Sequence, residues 1–105
     1  MKKFILSYLG GNQPETPEEG KAHFAKYRQW LGDLGDAVLI PAAPFKNPVT
    51  VNPDGSVTEG STTAMSGYTI VQADSAEEAL EMAKSCPFLE IGGSLEVAEL
   101  MEMPV

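Results

Sequence analysis

Cysteine, histidine and basic residues are scarce in this sequence. One cysteine, Cys86, excludes an internal disulfide, which fits a reducing compartment, so we predict a cytoplasmic protein. The 7 lysines and arginines against 15 acidic residues leave a formal net charge of −8. That charge argues against nucleic acid and anionic lipid as partners, because basic side chains must neutralise their phosphates.

Metal and cofactor signals are also missing. One histidine and one cysteine are too few for a typical zinc site. The glycine pairs at 10–11 and 92–93 lack the spacing and the lysine of phosphate-binding loops. The longest apolar runs, around 4–6 and 37–40, are far shorter than the ~20 residues that cross a bilayer. We therefore predict no metal, no cofactor and no membrane association.

The apolar content of 43% over 105 residues is ordinary for a folded protein, and we predict one domain over 1–105. Two capping signatures predict helices. Thr16-Pro17-Glu18-Glu19 starts a helix that runs to about Leu34 and ends at Gly35. Ser75-Ala76-Glu77-Glu78 starts a second helix that ends before Pro87. The predicted apolar stripe of the first helix is Gly20, Phe24, Tyr27, Leu31 and Leu34.

Strand patterns alternate with these helices. We predict strands at 2–10, 37–40, 67–73 and 94–101, irregular chain between the prolines at 41 and 48, and a small hairpin around 49–57. This order predicts an α+β, ferredoxin-like split βαβ with a hairpin insertion. The first strand is apolar on both alternation phases, so the sheet face without helices needs a partner. A second copy supplies one in a dimeric α/β barrel, with a ligand expected between the sheet and its partner.

Several short segments together resemble a known family. Tyr68 to Ala79 (YTIVQADSAEEA), Ala83 to Pro87 (AKSCP) and Gly92 to Val97 (GGSLEV) are similar to the second half of the YCII-related (DGPF) domain family. The opening strand and His23 are similar to its first half. The resemblance implies a dimeric α/β barrel of ferredoxin-like protomers, and a cleft in which the helix-one histidine is the acid or base.

The sequence departs from that family at two places. Glu59-Gly60-Ser61-Thr62 stands where the DGPF tetrapeptide falls. Cys86 stands where some members carry an aspartate that forms a dyad with the histidine. The resemblance therefore implies a catalytic role for His23 without its acidic partner.

His23 is the best candidate for chemistry, because imidazole titrates near neutral pH. Its helical position is at the edge of the predicted stripe, beside Trp30 and Leu34. The alternative is a half-buried histidine that packs on Tyr27. The candidate pocket residues are Tyr8, Tyr27, Trp30, Phe45 and Tyr68, and their alternative role is core or dimer-interface packing. Cys86 is expected to be a small buried hydrophobic residue.

Three functions are compatible with these residues. The first is a small enzyme that uses His23 as acid or base on a small organic molecule in a dimer cleft. The second is a ligand-binding or regulatory module that uses the same cleft without chemistry. The third is a structural dimerisation module. The sequence alone does not decide whether the protein is an enzyme, because fold does not dictate function.

Overall fold

A computed structural model describes residues 1–101 and shows two helices with six strands. The helices are α1 (Pro17–Leu34) and α2 (Ala76–Lys84), and 3₁₀ turns cover Gly35–Ala37 and Pro87–Ile91. The strands are β1 (Lys2–Gly10), β2 (Val38–Pro44), β3 (Val49–Val51), β4 (Val57–Glu59), β5 (Met65–Ala73) and β6 (Gly93–Glu99). No helix within residues 1–101 is long and apolar enough to cross a membrane. Residues 102–105 of the predicted domain lie outside the described part.

The main sheet has four antiparallel strands in the order β2-β5-β1-β6. Strand β2, which follows α1, and strand β6, which follows α2, lie at the edges of the sheet. Strands β1 and β5 lie at its centre. The fold is therefore α+β and ferredoxin-like, as the element order predicts. Strands β3 and β4 pair only with each other, which confirms the hairpin insertion. The dimeric barrel stays a prediction.

Both helices begin at the capping residues that the sequence indicates. The Thr16 hydroxyl accepts a hydrogen bond from the Glu19 amide at 3.1 Å, and the Ser75 hydroxyl accepts one from the Glu78 amide at 3.2 Å. Gly35 follows α1 with a φ of 55°, a left-handed value that favours glycine. These local signals fix where each helix meets the sheet.

The core lies between the helices and one face of the sheet. Phe4, Leu6 and Tyr8 alternate along β1 and are almost fully buried on that face. The opposite face carries Ile5, which pairs with Ile70, and the β2 residue Ile40 pairs with Ile70 from the other side. Directly opposed residues of an antiparallel pair share a face. We call this second surface the open face, and it consists of Ile5, Ile40, Tyr68 and Ile70, with Phe45 packed on Tyr68.

The predicted stripe of α1 is wrong at Phe24. This side chain is 60% exposed, and the Arg28 guanidinium lies 5.1 Å from its ring centre. The buried side of the helix instead runs through His23, Tyr27 and Trp30, of which Trp30 is 5% exposed. One residue is a rotation of about 100°, so Phe24 falls to one side of the buried stripe, whereas Tyr27, Leu31 and Leu34 pack on the core as predicted.

Proline did not end β2 where the sequence suggested. The strand continues through Pro41 to Pro44, with irregular register against β5. Proline has no N–H group, but β2 is an edge strand that needs hydrogen bonds on one side only. The last strand is also shorter than predicted and ends at Glu99.

Candidate functional site

A cleft of about 540 Å³ opens in the helix layer. Its walls are the loop after β1, the N-terminal half of α1 and the 3₁₀ turn before β6. They are lined by residues 12–15, Glu19, Ala22, His23, Lys26, Glu90 and Ile91. The loop and the turn meet because β1 pairs with β6 up to Gly10 and Gly93, and the Asn12 amide then donates to the Ile91 carbonyl at 2.8 Å. We call this space the His23 cleft.

The His23 ring rests on a cluster of aromatic side chains. It meets the Tyr27 ring edge to face, with centroids 5.1 Å apart and planes at 81°. Tyr27 makes two further edge-to-face contacts, with Tyr8 at 5.9 Å and Trp30 at 5.9 Å. Phe88 packs on Tyr8 at 5.0 Å. Aromatic pairs prefer edge-to-face contacts of the kind that Tyr27 makes. Tyr27 therefore joins His23 to the core.

The polar ends of this cluster are paired beneath the cleft. The Tyr8 and Thr69 hydroxyls share a hydrogen bond, and the Cys86 thiol donates to the Tyr27 hydroxyl at 3.7 Å. Burial raises the pKa of Tyr8 and of Cys86. The pKa of Tyr27 is also raised well above its ordinary value, mainly by burial and secondly by the neighbouring Tyr8 phenol. These three groups are therefore neutral at physiological pH.

Two of the three carboxylates that line the cleft are bonded to other groups. Glu19 accepts a hydrogen bond from the Glu15 backbone N–H at 2.9 Å, just before the start of α1. Glu90 forms an ion pair with Lys26 at 3.0 Å. A general base needs a partner that orients it, and the contact that positions the His23 ring is the edge-to-face contact with Tyr27.

The cleft offers little to a metal ion. Within residues 1–101, no three histidine, cysteine, aspartate or glutamate side chains gather as they would around a metal. The His23 imidazole and the surrounding glutamates are instead suited to hydrogen bonding and proton exchange with an organic ligand.

The predicted pocket residues fall into two groups on opposite sides of the sheet. Tyr8, Tyr27 and Trp30 form the aromatic cluster on the helix side, and Trp30 also lines a neighbouring cleft of about 250 Å³. Phe45 and Tyr68 pack together at 5.8 Å on the open face. His23 is in the helix layer, and its cleft is walled by one chain. The cleft is thus on the side of the sheet opposite to the open face, and a ligand between sheet and partner stays a prediction.

Sequence reasoning missed Lys26 and the loop 12–15 as parts of the site. Lys26 is one turn after His23 on α1, which is a usable signal. The loop gives no such signal, because only the pairing of β1 with β6 brings it beside the 87–91 turn.

A family model of the YCII-related domain matches residues 1–104. No curated protein sequence matches the chain. Among solved structures, 5-chloro-2-hydroxyhydroquinone dehydrochlorinase from Burkholderia phenoliruptrix AC1100, in complex with 2,5-dihydroxybenzoquinone, is similar with a TM-score of 0.59. The match covers 96% of this chain and 95% of that chain at 16% identity, so the likeness is one of fold.

Proposed function

The chain belongs to the YCII-related domain family, and from that premise we propose that it is an enzyme that moves a proton on a small organic molecule. In this proposal the His23 cleft binds the molecule, and the His23 imidazole is the acid or base. The reaction class is proton transfer, as in an isomerisation or an elimination, for which one well-placed imidazole can serve.

One observation carries the proposal. The single histidine of the chain lines a cleft of about 540 Å³, a size typical of small-molecule sites. Its ring is held edge-on by Tyr27, so its position is set before a ligand arrives. Imidazole is the side chain whose ordinary pKa, about 6.5, suits proton exchange at neutral pH.

The charges around the cleft indicate a neutral ligand with hydroxyl groups. Glu15, Glu19 and Glu90 line it, and Lys26 is already paired with Glu90. An anionic ligand would be repelled by this excess of carboxylates, whereas a neutral hydroxyl could donate to one of them. The ligand in the similar solved structure is 2,5-dihydroxybenzoquinone, a small hydroxylated ring that is ionised at neutral pH, so the analogy extends to the ring and its oxygen atoms and not to the charge. By analogy, phenols are the first ligands to examine.

A second candidate function is ligand binding without chemistry. It is favoured by Cys86, which is 2% exposed and donates its thiol to the Tyr27 hydroxyl. A buried neutral thiol cannot replace the carboxylate of a histidine–aspartate dyad. In this alternative His23 only hydrogen-bonds the ligand, and the protein acts as a binding or regulatory module.

The proposal includes a homodimer that covers the open face. Ile40 and Phe45 on this face are each 43% exposed, and Ile5 and Ile70 lie beside them. A two-fold axis would bring two such sheets together, as in a dimeric α/β barrel. A cytoplasmic location is also part of the proposal, based on the single unpaired cysteine.

The test is to follow the His23 imidazole by NMR. Because the chain has one histidine, its signals in untagged protein need no assignment. We expect phenols to shift these signals more than carboxylic acids of similar size do. Lys26→Gln is the matched control, because it changes the charge of the cleft and leaves the imidazole in place.

Turnover then separates the two candidates. Each ligand that shifts the His23 signals is incubated with wild-type protein and with His23→Gln, and its own NMR spectrum is followed. Conversion by the wild type and not by His23→Gln supports the enzyme. Binding without conversion supports the binding module, and no response to any phenol would contradict both and favour a structural dimerisation module.

A further inference from the structure

The insertion between β2 and β5 forms an arm with two different faces. We define the arm as residues 46–64, which contain β3 and β4. On one face the Thr50 hydroxyl donates to the Gly60 carbonyl at 2.8 Å, and the Thr58 hydroxyl accepts from the Asn52 side-chain NH₂ group at 2.9 Å. The polar face is thus satisfied by bonds within the arm itself.

The other face of the arm is mainly apolar and exposed, with Glu59 on it opposite Val49. Val51 and Val57 are directly opposed, and Val49 is two residues earlier on the same side. These valines are 70%, 65% and 59% exposed, respectively. A two-stranded hairpin is at best marginally stable in water, and clustered apolar side chains on its surface mark a contact surface.

The direction of the arm is set by the main sheet. The Phe45 amide donates to the Ser66 carbonyl at 2.8 Å, and the Gly10 amide donates to the Ala64 carbonyl at 3.2 Å. Next to these bonds, Asn47 and Ala64 have φ values of 53° and 60°. Alanine rarely adopts this left-handed conformation, and such strain persists where the surrounding structure enforces it. These two bonds therefore tie both ends of the arm to the main sheet.

A second copy of this chain is the occupant that the geometry favours. Phe45 at the root of the arm packs on Tyr68 of the open face, so the apolar surface of the sheet reaches the start of the arm. Four strands at ~4.8 Å spacing and about eight residues of ~3.3 Å give the open face a flat footprint of about 500 Å². A standard interface takes about 800 Å² of accessible surface from each partner, so a contact that includes the arm comes closer to that size than the sheet does by itself.

We propose that the arm docks through Val49, Val51 and Val57 onto a second copy of this chain. It thereby enlarges the sheet-to-sheet contact of a symmetric dimer, in which each arm reaches the other protomer. This inference rests on the homodimer that is part of the proposed function. It does not depend on the chemistry of His23, whose cleft is on the other side of the sheet.

The test is sedimentation velocity over a concentration series of the full chain. Val51→Lys puts a charge on the apolar face of the arm, and we expect it to weaken the dimer by about tenfold or more. Thr58→Lys is the matched control, because it puts the same charge on the polar face of the same hairpin. We expect its dimer affinity to stay within about twofold of wild type. The circular dichroism of each variant verifies that the main sheet is intact.

Three results would overturn the inference, and they are distinguishable. If Val51→Lys and Thr58→Lys dimerise equally well, the arm makes no contact with a partner. If Tyr68→Lys dissociates the dimer and Val51→Lys does not, the sheet-face dimer stands and the arm is excluded from it. If the wild type sediments as an 11.2 kDa monomer throughout, both dimer proposals fail. The NMR test of His23 is unaffected by this outcome.

Discussion

Replacing Tyr27 separates the two ways in which this side chain supports His23. Its ring makes edge-to-face contacts with His23, Tyr8 and Trp30, and each such pair is worth ~0.5–1.5 kcal/mol. Tyr27→Leu removes all three contacts, so we expect the free energy of unfolding to fall by about 2–3 kcal/mol. Tyr27→Phe keeps the ring and loses the hydroxyl, which accepts from the Cys86 thiol and lies beside the Tyr8 phenol, at a cost of about 0.5–1 kcal/mol.

The assay combines urea unfolding with the NMR signals of His23. In Tyr27→Phe the imidazole should keep its wild-type chemical shifts, because the ring that holds it is unchanged. In Tyr27→Leu the shifts should move and the lines should broaden, since the edge-on contact is gone. The reasoning is refuted if Tyr27→Leu costs less than about 1 kcal/mol, or if it leaves the His23 signals in place.

Two further predictions concern the aromatic cluster. An added Cβ at Gly93 would collide with the Phe88 ring, whereas one at Gly32 of α1 meets no atom within 4 Å. We therefore expect Gly93→Ala to lower the free energy of unfolding by about 1–3 kcal/mol and Gly32→Ala to raise it by about 0.5–1 kcal/mol. Thermal or urea unfolding measures both, and equal effects would contradict the packing. Burial raises the pKa of Cys86, Tyr8 and Tyr27 in the folded protein. At high pH these groups therefore ionise first in the unfolded chain, which lowers the free energy of unfolding. Stability is complete below the unfolded pKa values and is lost as the pH rises above about 8.5 for the thiol and about 10 for the phenols. Urea unfolding between neutral pH and about pH 10.5 should show this decline, with a shallower slope in Tyr27→Phe; a flat profile would mean that these groups are not buried in solution.

The sequence predicted the fold well, because the relevant signals are local. Thr16 and Ser75 are capping residues, and Gly35 supplies a left-handed φ, so the helix boundaries could be read from a few neighbouring letters. The order of elements then left few arrangements for a small sheet. The strand order of the main sheet followed from that limited choice.

The predictions from sequence were wrong where contacts between residues far apart in the chain decide the structure. Pro41 and Pro44 stay inside β2 because only one edge of that strand is paired, and this edge position follows from the topology of the whole sheet and not from the residues of the strand itself. Phe24 and His23 are adjacent, and the face that meets the sheet depends on how α1 is rotated against β1. For the same reason the pocket residues Phe45 and Tyr68 could not be separated from Tyr8 and Tyr27 before the register of β5 was known.

The two sides of the sheet now have separable tasks. The helix side holds His23, fixed through Tyr27 to a core in which Tyr8, Thr69 and Cys86 satisfy one another. The open side and the arm carry exposed apolar residues that no element of the described chain covers. A partner that covers the open face does not have to touch the His23 cleft, because the sheet lies between them. Ligand binding at His23 should therefore survive dissociation of the dimer, and any coupling between the two would pass through the central strands β1 and β5, whose successive side chains point to opposite sides.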